Sequence, residues 1–544
     1  MKRKHFFQKL LCFTLCLVFI FSMVGCSGTT SEQPSSAQPA TPAQSAAGAK
    51  ATELTADVCV IGSGAAGTSA AVEAAEAGKK VIVLEKLATP GGNSAIGAQG
   101  LLATDSSLQA KAGYKTTTDD VFQEWMTFTH WKADAAIVRE YLELSGSTVD
   151  WLMQRGVDLV MTPNVQRTHV LQTYHGYADF SKRVEYFKKL LAIVEKNGGQ
   201  IMYETPAQSL IQDSTGAVTG VMAQKKDGTT YKINAKSVVI ATGGFGGDAD
   251  MVKKASGGYD RIGVGIATNT GDGIKMAWKA GAAADRENLL QYHVITVPGM
   301  PPPEPGKDGS NWPMALIYLP VLPHVNMEGS RFFNEDLIYD DSLNASAAAS
   351  QGDHVFAVIS QEMVDKLEAS GSSALGMTDS VRLSRDQDVS PIKTPWTGLS
   401  KTMDDMIKAG AAFKADTYED LAKAAGMNPS IFVRNMNKYE EMAKAGKDTE
   451  FLKSGQHMVP LGKGPYYAVK EAPMYLTSLG GLKINADFQV LKADRKPIPG
   501  LYCAGADTGV IYNDIYVLIE GGSLGWAFNS GRLAGKQAAA NAKN

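Results

Sequence analysis

Cysteine is scarce in this chain and poorly placed for chemistry. Of five cysteines in 544 residues, Cys12, Cys16 and Cys26 fall in or at the end of an apolar N-terminal run, which leaves Cys59 and Cys503. No CxxCH, no CxxC and no zinc-type spacing is present, so covalent haem, iron–sulfur clusters, a structural zinc and a disulfide framework are all excluded. A single Cys59–Cys503 pair stays open, and no metal site is expected. A dominant charge is also lacking: 53 Lys and Arg face 56 Asp and Glu, for a formal charge of −3. Losing Lys2, Arg3, Lys4 and Lys9 with a leader would take four positive charges away and bring it to about −7, spread without runs. That argues against nucleic acid as a partner. There is no internal repeat and only one long apolar run.

That run, Leu10 to Val24, follows the four basic residues and stops at Gly25-Cys26. It is short for a membrane span and has the order of a secretory signal. A small residue followed by cysteine resembles a bacterial lipobox, with Met23 where leucine is usual, so Cys26 is expected to carry lipid and anchor an extracytoplasmic protein. Residues 27–52 are Ser, Thr, Gln, Pro, Ala and Gly with few large apolar side chains, too little to fold, and are expected to be a tether.

The most informative segment is Asp57-Val-Cys-Val-Ile-Gly62-Ser-Gly64-Ala-Ala66-Gly67, then an alanine-rich stretch, then Lys80-Val-Ile-Val-Leu84-Glu85. Strand, glycine turn, helix and strand in that order form a βαβ unit for a dinucleotide pyrophosphate. Gly62 permits the turn, Gly64 lets the backbone approach phosphate, and Gly67 allows close helix–strand packing. Glu85 ends the second strand, where a carboxylate meets ribose hydroxyls. The redox power of the protein is therefore expected to reside in a bound dinucleotide.

A glycine-rich loop, Thr89 to Gly100, suits backbone running against a flat ligand. Helical patterns follow over 119–128, 133–156 and 180–197, then short strands over 200–203, 207–212 and 218–223, as in a β-meander on a doubly wound sheet. Lys236 to Thr242 is a buried strand ending in glycines. From about Asn288 to Lys470 the sequence turns to Pro-, Met- and aromatic-rich loops and polar helices, and the cofactor pattern resumes at Gly480-Gly481. The expected organisation is a leader (1–25), a tether (26–52), a Rossmann-like α/β nucleotide domain in two parts (53–288 and 471–544) and an inserted α+β cap (289–470).

Gly62–Gly67, Glu85, Gly91-Gly92-Asn93-Ser94, Ala241-Thr-Gly-Gly-Phe245, Thr270-Gly-Asp-Gly273, Gly329-Ser-Arg-Phe-Phe-Asn-Glu335, Gly480-Gly481 and Gly500 to Gly505 together resemble the flavoproteins that include soluble fumarate reductase, urocanate reductase and 3-ketosteroid Δ1-dehydrogenase. The resemblance covers nearly all of the mature chain. It implies FAD, a cap that closes over the flavin, and an activated C=C bond held against flavin N5. By motif position it implies cofactor contacts at Gly62, Gly64, Ala66, Gly67, Glu85, Lys86, Gly92, Asn93, Ser94, Gly100, Ala207, Thr242, Gly243, Asp272, Gly505, Asp507, Gly522, Ser523 and Leu524. The membrane-bound branch attaches FAD through a histidine in the glycine-rich loop. Asn93-Ser94 stand here instead, so FAD is expected to be non-covalent.

The departures from that family define the substrate expectation. Where fumarate reductases place an arginine proton donor after the Asn-Glu pair, this chain has Tyr339; the arginine and glutamate that feed it fall on Tyr318 and Ala315. The histidine and arginine that clamp a dicarboxylate become Thr477 and Ile519. An anionic substrate needs guanidinium or imidazolium groups to offset desolvation, so a neutral substrate is expected. Tyr339, Tyr318 and Tyr516 are the candidate proton carriers, and His293, Thr477, Tyr512 and Ile519 the candidate substrate contacts. Tyr339 can equally pack a domain interface, and His293 can be a satisfied structural histidine. Arg331 is expected to tie the cap to the nucleotide domain, and Arg167-Thr-His169 with Tyr174-His175 to lie near the flavin. The expected activity is reduction of an α,β-unsaturated carbonyl compound, with electrons from a separate membrane or surface protein. Alternatives are ketosteroid-like dehydrogenation and a non-catalytic flavin-binding lipoprotein.

Overall fold

A computed structural model describes residues 51–164, 170–301, 311–380, 382–384, 387–388, 392–513, 515–517 and 519–542. The leader, Cys26, most of the tether, Arg167 and His169 lie outside these residues. Among the described residues no helix is long and apolar enough to cross a membrane.

The nucleotide domain begins with strand β1 (Thr52–Ile61), helix α1 (Ala65–Glu76) and strand β2 (Val81–Leu84). Residues 58–61 and all of β2 are buried, as continuous Val/Ile runs in a parallel sheet covered on both faces should be. Helix α2 (Arg183–Lys196) returns to β3 (Gln200–Met202), and β4 (Ala207–Gln212), β5 (Val218–Gln224) and β6 (Thr230–Ile240) form an antiparallel meander. Strand β6 runs parallel to β1 from Tyr231 to Ile240 and ends at the glycine turn 242–244. Helix α3 (Asp272–Lys279) follows.

The cap sheet is built from β7 (Leu290–Thr296), β8 (Val355–Ser360), β9 (Ala412–Ala415) and the long β10 (Tyr466–Ser478). The first half of β10 pairs with β8 and β9, and its second half pairs with β7. The chain then returns to the nucleotide domain through β11 (Gln489–Leu491), β12 (Pro497–Cys503) and the closing helix α4 (Gly522–Asn541). The main sheet has the order β11-β12-β6-β1-β2-β3, with the meander strands β5 and β4 beside the first half of β6.

Two hydrophobic cores match this division. One holds residues up to Leu290 and from Tyr475 onward; the other runs from Ile295 to Val469. In the first core α1 and α4 approach closely because small residues line both: a Cβ on Gly531 would sit 2.2 Å from the Ala66 carbonyl oxygen, and one on Gly535 2.5 Å from that of Ala70. Cys59 and Cys503 are buried free thiols. They lie in β1 and β12, on opposite sides of β6, so two strand spacings, roughly 10 Å, separate them and no bond can form.

Candidate active site

A cavity of about 1290 Å³ runs from the carboxyl ends of the parallel strands to the underside of the cap. That exceeds a pocket for one drug-sized molecule and suits a dinucleotide with a second ligand. At its nucleotide end Gly62 has φ +100°, and a Cβ there would meet the Ala241 carbonyl oxygen at 2.3 Å. Gly64 is different, since its nearest neighbours are at 3.8 Å and 4.0 Å and it faces the cavity. Gly67 does not line it; a Cβ there would lie 1.9 Å from the Gly62 carbonyl oxygen, so it shapes the turn from behind. The N-terminus of α1 beside Gly64 thus borders a space that can hold phosphate.

Glu85 is buried and fixed by three donors: the Ser63 N–H at 3.0 Å, the Ser63 hydroxyl at 2.6 Å and the Leu87 N–H at 2.8 Å. Its remaining lone pairs line the cavity where a ribose would lie. Lys86 pairs with Asp272 at 2.8 Å and donates to the Thr268 carbonyl. Both charges line the same end, and Asp272 opens α3, where the helix dipole favours an anion. Asn93 accepts from the Ile266 N–H at 2.7 Å, and Ser94 from the Ala65 N–H at 3.3 Å, so the glycine-rich loop is stitched to the cavity rim.

Gly92, Gly100, Ala207, Thr242, Gly243, Gly505, Ser523 and Leu524 complete this wall along with Ala66. Asp507 and Gly522 stand behind it. The Asp507 carboxylate, fully buried, accepts from the N–H groups of Thr242, Gly243 and Gly244 and from the Thr242 hydroxyl. It holds the turn after β6 in shape, and burial raises its pKa against those hydrogen bonds.

The cap end gathers His293, Met314, Tyr339, Thr477, Tyr516 and Glu520 into one wall. Tyr339 ends a 3-10 helix, Glu335–Tyr339, whose start is braced from below. Arg331 grips Glu335 through two contacts at 2.8 Å and 2.6 Å and reaches Asp448 at 2.9 Å, all with fully buried side chains. Lys453 approaches Glu335 at 3.6 Å. These partners all belong to the cap, which corrects the expectation that Arg331 ties the two domains together. The Tyr339 hydroxyl donates to the partly exposed Asp379 at 3.3 Å.

Tyr516 accepts from the Ser523 N–H at 3.2 Å, at the start of α4, and burial pushes its pKa up to about 12. It is therefore a neutral phenol at physiological pH. His293 is driven down to about 4 by burial and is a neutral imidazole. Thr477 touches the Gly243 carbonyl at 3.4 Å.

Three expected residues are not among the described residues of the wall. Tyr318 is fully buried in the cap core, where its hydroxyl accepts from the Ile295 N–H at 3.1 Å. Tyr512 is buried behind the site, stacked on Trp125 with 6.1 Å between ring centroids, and its hydroxyl has no hydrogen-bond partner among the described residues. Ile519 is buried in the first core. Tyr174 lines the cavity, whereas His175 is a buried structural group bonded to Ser106 at 2.7 Å and to the Thr173 carbonyl at 2.8 Å.

Sequence reasoning missed Glu520, Gln291 and the Tyr339 partner Asp379. The signal for Glu520 was its position directly before Gly521-Gly522: the residue count settled on Ile519, one place short.

Comparison with known proteins agrees with this geometry. The family described as FAD binding domain matches residues 57–524. The chain is 32% identical to a vinyl phenol reductase of Lactiplantibacillus plantarum over 89% of its own length and 96% of that protein's. It is 29% identical to a fumarate reductase (cytochrome) of Shewanella frigidimarina, over 92% of this chain and 76% of that one. Among solved structures, the open conformation of a flavocytochrome c3 fumarate reductase superposes with a TM-score of 0.63 at 25% identity, covering 90% of this chain and 79% of the other. A 3-ketosteroid-Δ4-(5α)-dehydrogenase from Rhodococcus jostii RHA1 shares the fold, with a TM-score of 0.66 at 23% identity, over 89% and 97% of the two chains. A glycine turn with an open approach, a clamped acid at the second strand and a cavity long enough for a dinucleotide are what this family requires, and the chain belongs to the FAD binding domain flavoproteins as an FAD-dependent oxidoreductase acting on CH–CH and C=C groups.

Proposed function

We propose that this flavoprotein reduces an activated C=C bond in a small neutral molecule, and not in a dicarboxylate. One observation carries the reading: among the described residues that line the cavity, Lys86 is the one Lys or Arg, and it is paired to Asp272 at the nucleotide end. The cap end offers hydroxyls, a neutral imidazole, thioethers and a carboxylate, none of which offsets the desolvation of an anion. Non-covalently held FAD would, once reduced, supply a hydride equivalent from N5.

The protein's own part is positioning, exclusion of water and proton supply. Tyr339 is the proton donor: the residue lines the wall, and the partly exposed Asp379 carboxylate, which accepts from its hydroxyl, links it to solvent, from which the phenol is recharged. The bidentate Arg331–Glu335 brace keeps the 3-10 helix, and hence that hydroxyl, in place. Tyr516 and Thr477 orient the substrate, and the cap core keeps the site dry. Lipidation at Cys26 would hold the enzyme on the outer side of the cell membrane, with a separate protein supplying electrons for anaerobic respiration.

The test is to purify the flavin-loaded protein, reduce it anaerobically and mix it with neutral alkenes or with fumarate. Rapid reoxidation by a neutral alkene, with fumarate inert, is the expected result. Brisk consumption of fumarate overturns the reading, and turnover seen only with a dye acceptor and a saturated ketone reverses its direction.

A further inference from the structure

Arg331 stays within the cap, but Arg261 is an arginine that does cross between the domains. It precedes the short strand Ile262–Gly263, which runs parallel to β10 beside Met474 and Tyr475. The Val264 N–H adds a bond of 2.9 Å to the Tyr475 carbonyl, and residues 262–264 line the cavity. The backbone of Arg261 is therefore continuous with the cofactor wall. Its guanidinium reaches into the cap, where Nη2 donates to the Ala349 carbonyl and Nη1 to the Asp353 carbonyl, both at 3.1 Å. The central carbon of the fork lies 4.8 Å from the centre of the Tyr259 ring and 5.7 Å from that of Tyr292, so aromatic faces steady it. Ala349 belongs to the last turn of a cap helix, Asp341–Ser350. The last four carbonyls of a helix have no partner within it, and the helix dipole favours a cation there.

The other end of the same helix leads to the site. It begins two residues after Tyr339, and Asp340 caps both it and the 3-10 helix that carries Tyr339. The Asn344 N–H closes its first turn onto the Asp340 carbonyl at 3.0 Å. Ten residues of helix make a rod of about 15 Å. The rod packs against β7, the strand that carries His293, and its Ala345 and Ala348 are buried. We propose that Arg261 is a positioning residue for the proton donor: from the cofactor wall it grips the far end of this rod, and so holds Tyr339 in register with the nucleotide domain. The inference rests on the reading of Tyr339 as donor. The Arg331–Glu335 brace fixes Tyr339 inside the cap, but a shift of the whole cap would carry brace and donor together. Register across the cavity needs a contact that spans both bodies, and a rigid two-pronged fork supplies it where a lysine, a single point charge on a flexible stem, cannot.

The experiment is a double-mutant cycle on the anaerobically reduced holoenzyme, comparing wild type, R261A, Y339F and the double variant. Reoxidation by the fastest of methyl vinyl ketone, 2-cyclohexenone and styrene is followed by stopped flow, with rates referred to bound flavin. A misplacement of about 1 Å costs about 100-fold, so R261A should lose roughly 10- to 100-fold at saturating alkene, and R261K nearly as much. In the Y339F background R261A should cost less than about threefold more, because misplacing an absent hydroxyl changes nothing. A merely structural role would lower the amount of flavin bound and leave the rate per flavin intact. Hydrogen exchange gives a readout without turnover: amides of Asp341–Ser350 should exchange at least about tenfold faster in R261A. A wild-type rate per flavin in R261A, losses that multiply in the double variant, or unchanged exchange overturns the proposal. Should R261A fail to load flavin, R261K carries the same cycle. If Y339F is slow while R261A is fast, the clamp falls and the donor reading stands. If Y339F keeps the wild-type rate, the donor reading falls and takes the clamp with it. If none of the three alkenes reoxidises wild type, the reductase reading falls with both.

Discussion

Replacing Tyr339 with phenylalanine removes one oxygen from the cavity wall and leaves the ring, and its two consequences differ enough in size to be separated. The lost hydrogen bond is long, 3.3 Å, and its acceptor Asp379 is partly exposed, so water replaces the donor. The stability cost is then about 1 kcal/mol or less. The loss of a positioned general acid costs about 10²- to 10⁴-fold in rate, or roughly 3–5 kcal/mol of barrier. The Arg331–Glu335 brace is untouched by the change, so the 3-10 helix should keep its position and the flavin its spectrum. Stopped-flow mixing of the reduced variant with a neutral alkene measures the rate effect, and thermal denaturation of the same preparation measures the stability effect. A reoxidation rate within about threefold of wild type, well short of what loss of a general acid predicts, would refute the donor assignment and leave Tyr339 as packing between cap and flavin.

The two turn glycines should fail in opposite ways. Gly64→Val projects into open cavity and should abolish flavin loading with the apoprotein melting as before, whereas Gly67→Ala forces a Cβ to 1.9 Å from a backbone oxygen and should cost about 1–3 kcal/mol of stability, read by denaturant unfolding. Arg331→Ala strands the buried carboxylates of Glu335 and Asp448 and should destabilise the cap by about 3–5 kcal/mol, visible as an early unfolding transition; a melting curve that superposes on wild type would count against the brace. His175 titrates near 4 when folded against an ordinary 6.5, because burial opposes its charge. The unfolded chain therefore binds that proton first, and stability is full above pH 6.5 and falls toward pH 4 at about 1.4 kcal/mol per pH unit. His175→Gln should flatten that acid limb in a plot of melting temperature against pH.

The nucleotide half was legible because its signals are local. Glycines at fixed offsets, continuous Val/Ile runs and an acid ending the second strand each specify geometry within about thirty residues, and β1, α1, β2 and the clamped Glu85 follow from them. The cap end depends on contacts between segments far apart in sequence, and counting along the chain could not supply those. Tyr318 was placed in the site by an ungapped count, but it lies one residue beyond a short helix, Trp312–Ile317, that turns it into the cap core. Arg331 looked like a tie between domains because its partner Asp448 lies more than a hundred residues away. Glu520 escaped because the expected cation falls by count on Ile519, one residue earlier, which the fold buries in the core while Glu520 lines the cavity.

Strand β10 belongs to two bodies at once. Its early residues are stitched into the cap sheet, and its late ones carry Met474, Leu476 and Thr477 into the cavity wall. At the handover stands Pro473, opposite Ile295, with no N–H to give the ladder. A rocking movement of the cap about that weak rung would drag three wall side chains with it, so the aperture for substrate and the depth of the pocket beneath it cannot be tuned apart. Evolution of a new substrate preference in this scaffold would then proceed through the pivot as readily as through the wall.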